Sequence, residues 1–102
     1  MSILKKYLKT KPVCKATFTL EKDAARDASS VNLVGDFNNW DQQTTPMRKQ
    51  KDGSFAVTLE LEAGREYQFR YLIDSQSWEN DWNADRYAKN SFGDCDNSVI
   101  CL

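Results

Sequence analysis

Ser54-Phe55-Ala56-Val57-Thr58-Leu59-Glu60-Leu61-Glu62, then Ala63-Gly64, then Arg65-Glu66-Tyr67-Gln68-Phe69-Arg70-Tyr71-Leu72-Ile73-Asp74, is the stretch on which the fold turns. Phe55, Val57, Leu59 and Leu61 recur at every second position, with Ala56, Thr58, Glu60 and Glu62 between them. Successive side chains of a strand point to opposite faces, so this segment reads as a strand with one apolar and one polar side. Tyr67, Phe69, Tyr71 and Ile73 repeat the pattern and leave Gln68, Arg70 and Leu72 on the outer side. The short Ala63-Gly64 link makes the two strands antiparallel neighbours.

Working outward, Lys51-Asp52-Gly53 is a second turn signal, preceded by a short run around Met47 to Lys49. Cys14, Ala16, Phe18 and Leu20 alternate with Lys15, Thr17 and Thr19, which is a half-buried strand. Asn97 to Leu102 supplies a last strand. Asp23 to Ser30 has only alanine as apolar content and reads as a loop, as does the polar segment Asp74 to Asn83 with Trp78 and Trp82. Short, closely spaced strands with Gly and Asp turns predict an all-β, immunoglobulin-like antiparallel β-sandwich. At 102 residues there is room for one domain with one core. We divide the chain into a basic N-terminal leader, 1–12, and the sandwich, 13–102.

A net charge of -1 argues against nucleic acid as a partner held by bulk electrostatics. Lys5, Lys6, Lys9, Lys11 and Lys15 crowd the start, and Glu79, Asp81, Asp85, Asp94 and Asp96 the last third; both read as solvated faces. No stretch reaches the roughly 18 apolar residues of a membrane span, and Met1 to Pro12 lacks a signal-peptide core. The expectation is a cytoplasmic protein with no membrane partner.

Cys14, Cys95 and Cys101 are odd in number and irregularly spaced, so they read as free thiols, with Cys14 a buried small hydrophobe. Without histidine, neither a zinc site nor a Ser/His or Cys/His nucleophile pair is expected. Asp81, Asn83 and Asp85 match the opening of a calcium loop, but Arg86 stands where the turn glycine belongs and Phe92 where the closing glutamate belongs. No metal, cofactor or catalytic residue is therefore predicted.

The remaining signal is Val31-Asn32-Leu33-Val34-Gly35-Asp36-Phe37-Asn38-Asn39-Trp40, a short apolar strand that ends in a polar turn and a tryptophan. A tryptophan there either folds back under the turn or grips a ligand. With Trp78 it suggests a platform for a flat, polar molecule. Trp82 reads as packing, in a loop that needs an anchor.

Together with Asp52-Gly53-Ser54-Phe55, the strand from Glu62 to Tyr71, and Asp96-Asn97-Ser98-Val99, this motif resembles the early-set domains that precede isoamylases and glycogen-branching enzymes. It is equally similar to the glycogen-binding domain of the AMP-activated protein kinase β subunit, a family 48 carbohydrate-binding module. The resemblance runs over about Val13 to Leu102. It implies non-catalytic binding of α-glucan, that is glycogen, starch or malto-oligosaccharide, and no enzyme activity. It also implies the site residues: Trp40 and Trp78 as the sugar platform, Arg70 as a rim donor, Phe92 as the apolar insert and Asn97 at the rim. Asp94 and Asp96 depart from the kinase modules, which carry a hydroxyl and an amide there, so donors become acceptors.

A glucose ring presents an apolar face and a belt of hydroxyls, which suits a flat indole below and donors at its edge. The alternative is a regulatory or protein-interaction module of the same fold with a degenerate sugar site. In that case a glycogen-metabolising enzyme or another protein would be the partner.

Overall fold

The computed structural model describes residues 2–89 and 96–102. In chain order the strands are β1 (Ser2–Tyr7), β2 (Val13–Leu20), β3 (Val31–Gly35), β4 (Arg48–Lys49), β5 (Phe55–Glu62), β6 (Glu66–Ile73), β7 (Ser77–Glu79), β8 (Arg86–Lys89) and β9 (Asp96–Cys101). A one-turn helix α1 (Lys22–Ala25) lies between β2 and β3, and a 3-10 turn (Asp36–Asn38) follows β3. One sheet runs β1-β2-β5-β4; the other runs β3-β6-β9-β8, with β7 beside β6. All strand pairs are antiparallel. The two sheets stack as an immunoglobulin-like sandwich.

The alternation read from the sequence decides which side of each strand is buried. Ala16, Phe18 and Leu20 of β2 and Phe55 and Leu61 of β5 face Val31 and Leu33 of β3, Tyr67, Phe69, Tyr71 and Ile73 of β6, and Ile100 of β9. Phe18 meets Phe69 edge-on at 5.1 Å, and Phe69 meets Tyr71 edge-on at 5.7 Å. Each such side chain gains about 1.5–3 kcal/mol from leaving water, so a one-residue slip of register would be costly.

Four local readings are corrected. Residues 2–7 of the basic leader form β1, which pairs with β2 from Ser2↔Thr19 to Tyr7↔Cys14. Part of the stretch from Asp23 to Ser30 is helical: alanine is small and a strong helix former, and Ala24, Ala25 and Ala28 are buried against the core. Trp78 sits on strand β7 and not in a loop, because Leu72 of β6 offers it a partner. β8 was not anticipated, since its residues show no alternation of their own and owe their conformation to pairing with β9.

The two sides of the sandwich are closed differently. Residues 45–49 begin bonded to β3, through Leu33 N–H to Thr45 O (2.9 Å) and Met47 N–H to Val31 O (2.8 Å), and end paired with β5 as β4. This stretch thus passes from one sheet to the other. At the opposite side Lys5 Nζ reaches Asp85 Oδ2 (2.7 Å) and the Cys101 carbonyl (3.1 Å).

Trp82 is 55% exposed, and its neighbour Asp81 is the buried anchor of the loop. Asp81 is fully buried, accepts the Tyr71 hydroxyl at 2.7 Å and the Asn83 amide at 2.8 Å, and donates its own N–H to Ser98 Oγ at 2.9 Å. Its carbonyl receives the Tyr87 hydroxyl at 2.5 Å. Polar groups buried at this depth need hydrogen-bond partners, and Tyr71, Asn83, Ser98 and Tyr87 supply them.

Candidate functional site

Every residue of the turn after β3 has a distinct local task. Gly35 is extended, so its glycine is required by space and not by backbone angle: an added Cβ would lie 2.5 Å from Gln68 O and 2.8 Å from Phe69 Cβ. Phe37 turns inward onto Phe18 at 5.7 Å. Asn38 caps the turn, its Oδ1 accepting Gly35 N–H (3.1 Å) while Nδ2 donates to Leu33 O (2.9 Å) and Thr45 Oγ1 (3.0 Å). Asn39 and Trp40 then take left-handed backbone, at φ 57 and 58. Trp40 is half-buried, and its indole N–H donates to Asp36 Oδ1 at 2.8 Å.

On the outer side of β6, Gln68, Arg70 and Leu72 form one row. Trp78 stands directly opposite Leu72 and is 37% exposed. The Arg70 guanidinium lies 5.1 Å from the centre of the Trp78 ring, a cation–π contact on one of its two faces. Arg70 is half-buried, and its Nε is enclosed without a hydrogen-bond partner among the described residues. At the other end of the row, Asp36 Oδ2 accepts the Gln68 main-chain N–H at 2.8 Å. Trp40 and Trp78 are thus tethered at opposite ends of the Gln68–Leu72 row, whose span is about 13 Å at ~3.3 Å per residue.

Asn97 is 6% exposed, and its Nδ2 donates to Gln68 Oε1 at 3.0 Å, so this amide is turned toward its neighbour on the sheet. Phe92 and Asp94 lie outside the described residues. Asp96 is exposed on β9, and its carbonyl accepts Asn80 Nδ2 at 2.8 Å. Two residues of this face were missed from sequence. Gln68 could have been found, because the alternation that turns Arg70 outward turns Gln68 outward too; Asp36 gave no signal beyond a turn residue.

Beyond the row, Glu66 pairs with Arg86, and this hydrogen bond holds the Glu66 carboxyl below its usual range. Burial and the nearby Glu66 push the Cys101 thiol up, away from the reactive thiolate. Among the described residues no group of three or more His, Cys, Asp or Glu side chains could hold a metal, and no helix is long and apolar enough to cross a membrane. On the outer side of β6 the arrangement is a partly exposed indole, Trp78, with the Arg70 guanidinium against its ring.

The family model for carbohydrate-binding module 48 (isoamylase N-terminal domain) matches residues 25–88, more than half of the 102-residue chain. The chain belongs to this family of carbohydrate-binding modules. Among similar proteins, the 1,4-alpha-glucan branching enzyme GlgB of Aquifex aeolicus is 42% identical over 60 residues, which are 56% of this chain and 9% of that enzyme. The enzyme of the same name from Photobacterium profundum is 40% identical over 52 residues, 50% of this chain and 7% of its own length. That of Butyrivibrio fibrisolvens is 31% identical over 64 residues, 63% of this chain and 10% of the enzyme. The chain therefore spans a tenth or less of these curated relatives. The family match includes Trp40, Arg70 and Trp78 and stops before Phe92 and Asn97.

Proposed function

We propose that this chain binds α-glucan, as glycogen, starch or malto-oligosaccharide, and catalyses nothing. The observation that carries this reading is the Arg70–Trp78 pair on an outward row whose far end tethers Trp40. Trp40 and Trp78 stack against the apolar faces of two sugars. Arg70 donates to the hydroxyl belt, Asn97 acts through Gln68 at the rim, and Phe92 is the apolar insert that the family resemblance implies. The branching-enzyme relatives favour an α-linked polymer as the ligand.

A sugar covering half an indole removes roughly 75–125 Å² of apolar surface from water, about 2–3 kcal/mol at ~25 cal/mol per Å². Two such platforms, less the cost of ordering the ligand, correspond to a dissociation constant from tens of micromolar to millimolar. Useful affinity then comes from the repeated sites of a polymer. A cytoplasmic location and a glycogen-metabolising enzyme as companion belong to the same reading.

A second reading, a regulatory or protein-interaction module, is favoured by Trp82 and Tyr87, which are 55% and 45% exposed on the loop before β8 and on β8 itself. An amide and indole NMR titration with maltoheptaose and β-cyclodextrin, with cellohexaose as control, separates the two. Saturable shifts at the Trp40 and Trp78 indoles with α-linked sugars alone are expected. No shift at millimolar sugar would overturn the glucan reading and leave the protein-interaction one.

A further inference from the structure

Asp36 is the residue of the turn that the glucan reading leaves without a task. Its two carboxylate oxygens are divided between two groups. Oδ1 accepts the Trp40 indole N–H at 2.8 Å, and Oδ2 accepts the main-chain N–H of Gln68 at 2.8 Å, 32 positions away on β6. Both bonds are assisted by the acceptor's charge, which makes them stronger than bonds between neutral groups.

Trp40 needs such a restraint. A bulky side chain on left-handed backbone, here at φ 58 directly after Asn39 at φ 57, persists only where its surroundings hold it. Besides the Asp36 link, the Trp40 main-chain N–H donates to Gly35 O at 2.9 Å, which fixes the backbone but leaves the ring free to turn about its side-chain bonds. The indole has a single N–H to donate, and the Asp36 carboxylate takes it.

We propose that Asp36 is a positioning residue that clamps the Trp40 indole to β6, so that the ring already presents one face when a glucan arrives. For its ligand this inference rests on the proposed function above. A ring held before binding needs no ordering during it, so affinity is gained without any contact between Asp36 and sugar. The residue acts through Trp40.

The test compares the wild-type protein with Asp36→Ala and Asp36→Asn. Asparagine is nearly isosteric, yet its amide can accept from only one of the two N–H groups and opposes the other, so it keeps the fold within reach even if alanine does not. In D36A the Trp40 indole proton should exchange with solvent about 10-fold faster, while the Trp78 indole is unchanged. Maltoheptaose should bind about 3- to 10-fold more weakly, and D36N should fall between D36A and wild type in both readouts. Equal acceleration at both indoles would mark a general loss of structure and overturn the clamp, as would an unchanged Trp40 indole. A released Trp40 with unaltered sugar affinity would overturn its role in binding. If the wild-type protein itself shows no saturable binding, the glucan reading falls, and the two indole exchange rates alone decide whether Asp36 clamps Trp40.

Discussion

Tyr71 donates its hydroxyl to Asp81 across 2.7 Å, and neither side chain reaches solvent. The pair ties β6 to the loop that follows Trp78. Burial, reinforced by the charge and hydrogen bond of Asp81, pushes the phenol well above its ordinary value of about 10.

Tyr71→Phe should therefore destabilise the fold by about 1–3 kcal/mol, because a buried carboxylate loses an acceptor bond that nothing else supplies. Urea unfolding at neutral pH measures this. The folded protein keeps the phenol proton where the unfolded chain releases it, so this contribution is complete below about pH 10 and is lost as pH rises through the folded value. The variant should lack this part of the alkaline loss of stability. Equal wild-type and variant profiles above pH 10 would refute the assignment.

Gly35→Ala should cost about 1–3 kcal/mol or more by overpacking, since the new methyl group would meet Gln68 O at 2.5 Å and Phe69 Cβ at 2.8 Å. Both contacts lie on β6, beside the row of outward side chains. Thermal melting should show the loss, and amide spectra should show the β3–β6 pair displaced. A variant as stable as wild type would mean the strands can part there without strain.

Trp78→Ala should weaken maltoheptaose binding by about 10- to 100-fold, matching roughly 2 kcal/mol of lost stacking. Arg70→Lys keeps a charge over the ring but replaces a planar fork by a point donor, so a loss of only several-fold is expected. Isothermal titration of both variants gives the ranking. If the lysine variant is the weaker, Arg70 contributes more than Trp78 and the stacking account is wrong.

Burial raises the Asp85 carboxyl, but the Cys101 amide at 2.6 Å and the Lys5 ammonium at 2.7 Å outweigh it and hold its pKa below the usual value. A depressed folded pKa means a stabilising contribution complete above about pH 4 and lost as pH falls through the folded value. Lys5→Met should make the acid branch of the stability curve shallower and speed amide exchange along β1. Melting curves between pH 2 and 5 and exchange rates at pH 6 test both; an unaltered acid branch would exclude the link.

The central hairpin was legible because its signal is local: Phe55 to Leu61 and Tyr67 to Ile73 carry the period of two without reference to any other segment. β7 was not, because Trp78 and its two neighbours become a strand only by meeting Leu72. The same holds for β1, whose lysines hide a pairing supplied entirely by β2. Asp81 was weighed as an opening calcium ligand, whereas its partners, Tyr71 and Ser98, come from two different strands. Of the site, the tryptophans and Arg70 were marked by residue type and resemblance. The Asp36 contact to Gln68 joins positions 32 apart and leaves no trace in spacing.

The stretch 45–49 belongs to both sheets, so along that side the sheets are joined by continuous backbone, whereas on the β1 side, among the described residues, the Lys5 ammonium reaches across to Asp85 and the Cys101 carbonyl. Mechanically the sandwich is a hinge with a clasp. Pulled at residue 2, β1 peels away while the sewn edge stays closed, and the force needed for that first step should fall with added salt, since screening weakens the clasp and not the seam.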